Sequence, residues 1–209
     1  MRKPKLPFVY FICLLFVGVV LAAAPADNGY QVGDTARDFK LKNVDGKMVS
    51  MADYKNAKGF IVTFTCNTCP YSVAYEDRII DLHNKYAPKG YPVIAINPND
   101  VSVSPKDSYT DMQQRAKEKS FPFAYLHDET QEITKAYGAT RTPHLYIVQK
   151  QKDGKYKVAY IGTIDDNSRD ASKVEKKYAE AALDELVANK AVSQPNTKAI
   201  GCTIKWREA

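Results

Sequence analysis

The sequence holds one CxxC, no second one and no paired histidines. With three histidines in all, it lacks the further ligands at suitable spacing that a structural zinc site needs. A zinc site is therefore not expected, and the main reading of the chain assigns it no metal and no cofactor. No internal repeat runs through the chain, which excludes solenoids and propellers. No low-complexity tract occurs outside the N-terminal leader. A basic stripe is also missing: the 30 lysines and arginines are interleaved with 24 acids, so nucleic acid is not an expected partner.

What is present begins with the leader. Arg2, Lys3 and Lys5 precede an uncharged stretch over 6–24 that closes on Leu21-Ala22-Ala23-Ala24, the order of a secretory signal peptide. We read residues 1–24 as that signal, with cleavage after Ala24 or Ala26. An uncleaved anchor is the alternative, because the run is close to the roughly 20 residues that span a bilayer; Gly18 and the closing alanines favour cleavage. The expected location is periplasmic or extracellular, or membrane-anchored if the leader stays. The net charge of +6 falls to +3 once Arg2, Lys3 and Lys5 leave. About 185 residues then remain, which suits one domain with a sizeable core.

Periodicity and turn signals give alternating strands and helices. Phe39–Asn43 and Lys47–Met51 flank Asp45-Gly46 and read as a hairpin. The continuous apolar run Phe60–Thr65 reads as a buried strand. Tyr75, Ile79, Leu82 and Tyr86 recur at helical spacing, so a helix is expected over Pro70–Tyr86, stopped by Pro88 and Gly90. Pro92–Asn97 is a second buried strand and Tyr109–Lys119 a second helix. Phe121–Leu126 reads as irregular, and Glu129–Tyr137 as one or two helical turns closed by Gly138. Leu145–Val148 and Lys157–Ile161, around Asp153-Gly154, form an expected antiparallel hairpin, and Val174–Ala188 an amphipathic helix. The tail carries Ile200, Cys202, Ile204 and Trp206, and is expected to dock on the body.

The chemistry concentrates at Cys66-Asn67-Thr68-Cys69, where a strand meets a helix. A sulfur facing the unpaired N–H groups of a helix start is stabilised as thiolate. Cys66, expected to be the more exposed of the two, is the candidate nucleophile; Cys69, one turn on, is placed to resolve a mixed disulfide or a sulfenic acid. Cys202 leaves an odd number of cysteines after the leader is removed. It reads as a second resolving thiol, a link to another subunit, or a small buried apolar residue.

The element order resembles the thioredoxin fold: α/β, a central mixed sheet flanked by helices, here with an N-terminal hairpin extension. Thr142-Pro143 ahead of the strand at His144-Leu145 resembles the cis-proline of thioredoxin-like proteins. Val32-Gly33-Asp34, Asp38-Phe39-Lys40-Leu41, Asp45-Gly46-Lys47 and Lys58-Gly59 look like the opening of the alkyl hydroperoxide reductase/thiol-specific antioxidant superfamily. The expected organisation is a signal over 1–24, a redoxin domain over 30–190 and a tail over 191–209 packed on it.

The resemblance implies Cys66 and Cys69 as catalytic residues, and Thr142 and Pro143 as substrate-binding ones. Thr63, Arg141, His144 and Cys202 are possible accessories. The expected activity is thiol–disulfide exchange on protein disulfides or dithiols, with a thiol electron donor or acceptor. Two alternatives stand beside it: a hydroperoxide reductase with Cys66 as peroxidatic thiol, and a copper chaperone using Cys66, Cys69 and His144. Copper chaperones of this type carry three residues between the cysteines, whereas this chain has two. Thr63 fits the peroxiredoxin threonine, but Gly59 stands where that pattern has proline. Thr65 replaces the thioredoxin tryptophan, and the run Phe60–Phe64 holds no carboxylate.

Overall fold

The computed structural model describes residues 29–208; the expected signal peptide lies outside them. The elements are β1 (Thr35–Ala36), β2 (Leu41–Asn43), β3 (Met48–Val49), β4 (Gly59–Phe64), α1 (Pro70–Tyr86), β5 (Val93–Asn97), α2 (Tyr109–Glu118), β6 (Ala124–His127), α3 (Glu132–Tyr137), β7 (Arg141–Thr142), β8 (His144–Lys150), β9 (Tyr156–Gly162), α4 (Tyr178–Val187) and β10 (Cys202–Thr203). One sheet has the order β1-β9-β8-β4-β5-β6-β2-β3, and β7 and β10 form a second, two-stranded ribbon.

β4 is central because all six of its residues are buried. It runs parallel to β5 and antiparallel to β8, and side chains alternate between its faces. Phe60, Val62 and Phe64 enter one core with Ile94, Ile96, Tyr146 and Val148. Ile61 enters the other, where Tyr75, Ile79, Leu82 and Tyr86 of α1 meet Ala179, Ala182, Leu183 and Leu186 of α4. The Tyr86 hydroxyl ties these helices together by donating to the Glu180 carbonyl and to Asp184. This mixed sheet with helices packed on it is the thioredoxin-like fold that the resemblance implies.

α1 opens with Cys69 as N-cap and Pro70 in the first turn, where a missing N–H costs nothing. Beyond its end, Gly90 adopts a φ of 96°. The expected hairpin forms from β2 and β3, and β2 also pairs with β6, so it continues the main sheet. That pairing orders Phe121–Leu126 more than its sequence suggests: Ala124–His127 becomes a strand parallel to β5. α3 starts at Glu132 rather than Glu129 because Gln131 takes a left-handed φ of 60°. Its buried side-chain amide is drawn inward, donating to the Pro98 and Lys205 carbonyls.

The C-terminal tail is fixed at two places on either side of Cys202. Upstream, the Ile161 N–H donates to the Pro195 carbonyl and the Thr197 N–H to the Ile161 carbonyl. Downstream, Ile204 is buried in the core, the Asp100 N–H donates to the Lys205 carbonyl, and Arg207 pairs with Asp100. Between these anchors the chain crosses β7. Among the described residues no helix is long and apolar enough to cross a membrane.

Candidate active site

The site forms where β4 ends, α1 begins and the β7–β8 junction approaches from the side. The strand carries Cys66 to the mouth of the helix, and the peptide bond between Thr142 and Pro143, at the same end of the sheet, is cis. Both sulfurs of the CxxC converge on Thr142. The Cys66 Sγ lies 3.3 Å from the Thr142 hydroxyl and 3.9 Å from that of Ser72. The Cys69 Sγ lies 3.1 Å from the Thr142 carbonyl oxygen. Cys69 carries no proton to donate there, because it is joined to Cys202 in a disulfide, with Cα atoms 6.0 Å apart. Among the described residues Cys66 is the free thiol.

This arrangement differs from the sequence expectation in three respects. The disulfide joins Cys69 to Cys202, across a separation of 133 residues, and not to Cys66. Cys66 is not the more exposed of the pair: it is 3% exposed and Cys69 4%. The Cys66 thiol is also not primed as an anion. Burial pushes it up, and the Asp107 carboxylate adds to the shift. The Thr142 hydroxyl, the Cys69 backbone N–H and Ser72 pull the other way without overcoming these two. A helix N-terminus stabilises charge by a modest amount, which desolvation of a buried sulfur exceeds.

Asp107 is the part of the site that sequence reasoning missed. It is fully buried, and it receives the Asn67 N–H at 2.8 Å and the Thr68 hydroxyl at 3.0 Å. The Asn99 amide and the Ser104 hydroxyl complete its shell at 2.8 and 2.7 Å. Asn67 is held further by the Tyr125 hydroxyl at 2.9 Å and by its own donation to the Lys106 carbonyl. The two residues between the cysteines are thus fixed by a carboxylate forty positions away. An acid beside a Ser-Pro-Lys turn carries no periodic signal that would mark it.

The remaining candidates sit as follows. Thr63 is buried, and its hydroxyl has no hydrogen-bond partner. Arg141 is exposed on β7. His144 is buried, accepts the Thr140 N–H at Nδ1 and is pushed down to about 4 by burial, so near pH 7 it is neutral. Among the described residues no cluster of three metal-ligating side chains occurs, and Cys66, Cys69 and His144 do not form the copper site of the third reading. The cavity touching Cys66, Glu76 and Tyr125 measures about 10 Å³, room for about one water.

Cys202 is half-buried, neither an inert core residue nor a free end. β10 pairs antiparallel with β7, placing Cys202 opposite Thr142 and Thr203 opposite Arg141. Gly201 lies against the same backbone: a Cβ there would stand 2.2 Å from the Thr142 carbonyl oxygen and 3.0 Å from the Pro143 nitrogen. Only a residue without a side chain fits that approach.

Comparison with known proteins places this site in context. The AhpC/TSA family model matches residues 32–159. The crystal structure of an uncharacterized conserved protein from Geobacillus kaustophilus is 38% identical, with a TM-score of 0.79, covering 87% of this chain and 95% of that one. A hypothetical protein from Sinorhizobium meliloti 1021 is 30% identical with a TM-score of 0.78, over 87% of this chain and 98% of its own. The thiol-disulfide oxidoreductase ResA of Geobacillus thermodenitrificans is 26% identical over 136 residues, which are 64% of this chain and 71% of ResA.

Proposed function

The chain is an oxidoreductase of the AhpC/TSA family, and we propose that it is an exported thiol–disulfide oxidoreductase acting on protein disulfides or dithiols through Cys66 and Cys69. The observation that carries this reading is the convergence of both CxxC sulfurs on one residue, Thr142. That residue also offers its backbone to an antiparallel strand. A peptide pairing there would bring its own cysteine beside the reacting sulfurs. The likeness to ResA supports the same chemistry.

In the reducing direction, the Cys66 thiolate bonds to one sulfur of a substrate disulfide and expels the other as a thiolate, which takes a proton from water. Cys69, as its thiolate, then bonds to Cys66 Sγ and breaks the mixed disulfide. The substrate leaves reduced, the CxxC leaves oxidised, and a thiol donor restores it. The oxidising direction is the reverse, and the reduction potential of the couple decides between them. The Thr142 hydroxyl, the Cys69 N–H and the Ser72 hydroxyl are the groups aimed at the Cys66 sulfur.

The test is catalysis of insulin reduction by the reduced protein. We expect turnover that chelators leave unchanged and that Cys66→Ser or Cys69→Ser abolishes. Full activity in either variant overturns the reading. Rapid consumption of peroxide with insulin untouched, lost in Cys66→Ser, makes the protein a hydroperoxide reductase instead. Export rests on the leader sequence, and cell fractionation checks it.

A further inference from the structure

Resting on that reading, we propose that Cys202 is a third redox-active cysteine and that β10 is an internal substrate strand, released when the disulfide moves from Cys69–Cys202 to Cys66–Cys69. Three observations place it there. β10 occupies the edge of β7 in antiparallel register, with Cys202 opposite Thr142. Its sulfur is already in disulfide linkage with the CxxC. Gly201 allows the strand to lie against the Thr142–Pro143 backbone, which any side chain would prevent.

The exchange needs no outside oxidant. Cys66 loses its proton to water, and its thiolate bonds to Cys69 Sγ at the Cys69–Cys202 bond. That bond breaks, and Cys202 leaves as a thiolate that takes a proton from water. One disulfide is present before and after, so nothing is oxidised or reduced overall. The product holds the oxidised CxxC and a β7 edge no longer tethered to the tail. A strand from a protein dithiol takes the vacated place; one of its thiolates bonds to Cys66 Sγ and expels Cys69 as a thiolate, and its second thiolate then bonds to the first and expels Cys66, which leaves the substrate oxidised and the CxxC reduced.

The burial of Cys66 fits a closed resting form in which the nucleophile is kept as thiol. The anchors at Pro195–Thr197 and at Lys205–Arg207 keep the tail on the body throughout. The departing segment is then a short loop, able to return as an intramolecular competitor at high effective concentration.

Disulfide mapping tests the proposal on the intact oxidised protein. The sample is incubated with iodoacetamide at pH 8, digested without reduction and mapped by mass spectrometry. We expect label to accumulate on Cys202 in molecules whose Cys66 and Cys69 are joined, and none on Cys202 in Cys66→Ser. Label confined to Cys66 in the wild type overturns the relay, as does equal labelling of Cys202 in Cys66→Ser. Gly201→Val, which leaves every cysteine in place, should speed Cys202 labelling several-fold, and an unchanged rate overturns the strand fit. Cys202→Ser, with Cys66 and Cys69 joined, should oxidise a reduced protein dithiol with a KM lower than the wild type's by roughly tenfold, since the internal competitor has lost its covalent hold. If Cys202→Ser and the wild type turn over alike and Cys202 is never labelled, the relay fails and the oxidoreductase stands. If neither form acts on any protein thiol, the functional reading itself fails.

Discussion

The Thr142 hydroxyl lies 3.3 Å from the Cys66 sulfur, and it is the nearest side-chain group that favours the thiolate over the thiol. Threonine is fully buried here, so its hydroxyl has no water to compete with the sulfur. Replacing it with valine keeps the shape and removes the donor. In a Cys69→Ser/Cys202→Ser background, where Cys66 is the one cysteine left among the described residues, Thr142→Val should move the pH midpoint of Cys66 alkylation upward by about half a unit to one unit, the worth of one hydrogen bond. An unmoved midpoint would show that the hydroxyl points elsewhere.

Asp107 acts on the same sulfur with the opposite sign. Its negative charge disfavours a second one on Cys66, while its hydrogen bonds hold Asn67 and Thr68 in place. Asp107→Asn removes the charge and retains one acceptor. The midpoint for Cys66 should fall, so alkylation at pH 7 should quicken, while the protein loses about 2 kcal/mol of stability as buried donors go unmatched. Alkylation that slows would assign Asp107 a role in taking the Cys66 proton instead.

These two residues mark the limit of what the sequence discloses. α1 was readable to the residue because Pro70, the helical spacing of Tyr75, Ile79, Leu82 and Tyr86, and the stop at Pro88 and Gly90 are all local signals. β4 was readable because an apolar run of that length fits little else. Asp107 was not, since its partners Asn67, Thr68, Asn99 and Ser104 come from separate loops that only the folded chain brings together. Cys202 makes the count of cysteines after the leader odd, but a two-residue strand lying opposite Thr142, sixty residues away, has no periodicity to announce it. The burial of Cys66 is not legible for a related reason: a CxxC at a helix start says nothing of what packs over it.

His144 should make stability depend on pH. Burial lowers it to about 4, whereas an unfolded histidine titrates near 6.5. Between those values the unfolded chain binds a proton that the folded one does not, so stability is complete above about pH 6.5 and falls as pH drops toward 4. The loss amounts to about 3 kcal/mol at the acid end. Asparagine can supply an acceptor in place of Nδ1 for the Thr140 N–H, so His144→Asn should flatten this part of the urea-midpoint profile between pH 7 and 4.5. An identical slope in wild type and variant would place the titration at His83, His127 or the carboxylates.

Gly59 is where the chain departs from the peroxiredoxin proline, and the fold explains why that proline cannot be restored. The Gly59 N–H donates to the Gly90 carbonyl at 3.2 Å, a bond proline has no hydrogen to make. A Cβ at this position would stand 2.2 Å from the Val148 carbonyl oxygen and 2.5 Å from the Tyr91 ring. Both Tyr91 and the neighbouring strand are buried, so neither yields without opening the core. Gly59→Pro should therefore cost about 3 kcal/mol or more. Gly59→Ala, which keeps the N–H but meets the same atoms, should cost somewhat less. Denaturant midpoints separate the two contributions: equal losses would assign the whole effect to the steric contact. A proline variant as stable as the wild type would mean that β4 and β8 lie further apart than described, and would remove this obstacle to the hydroperoxide reading.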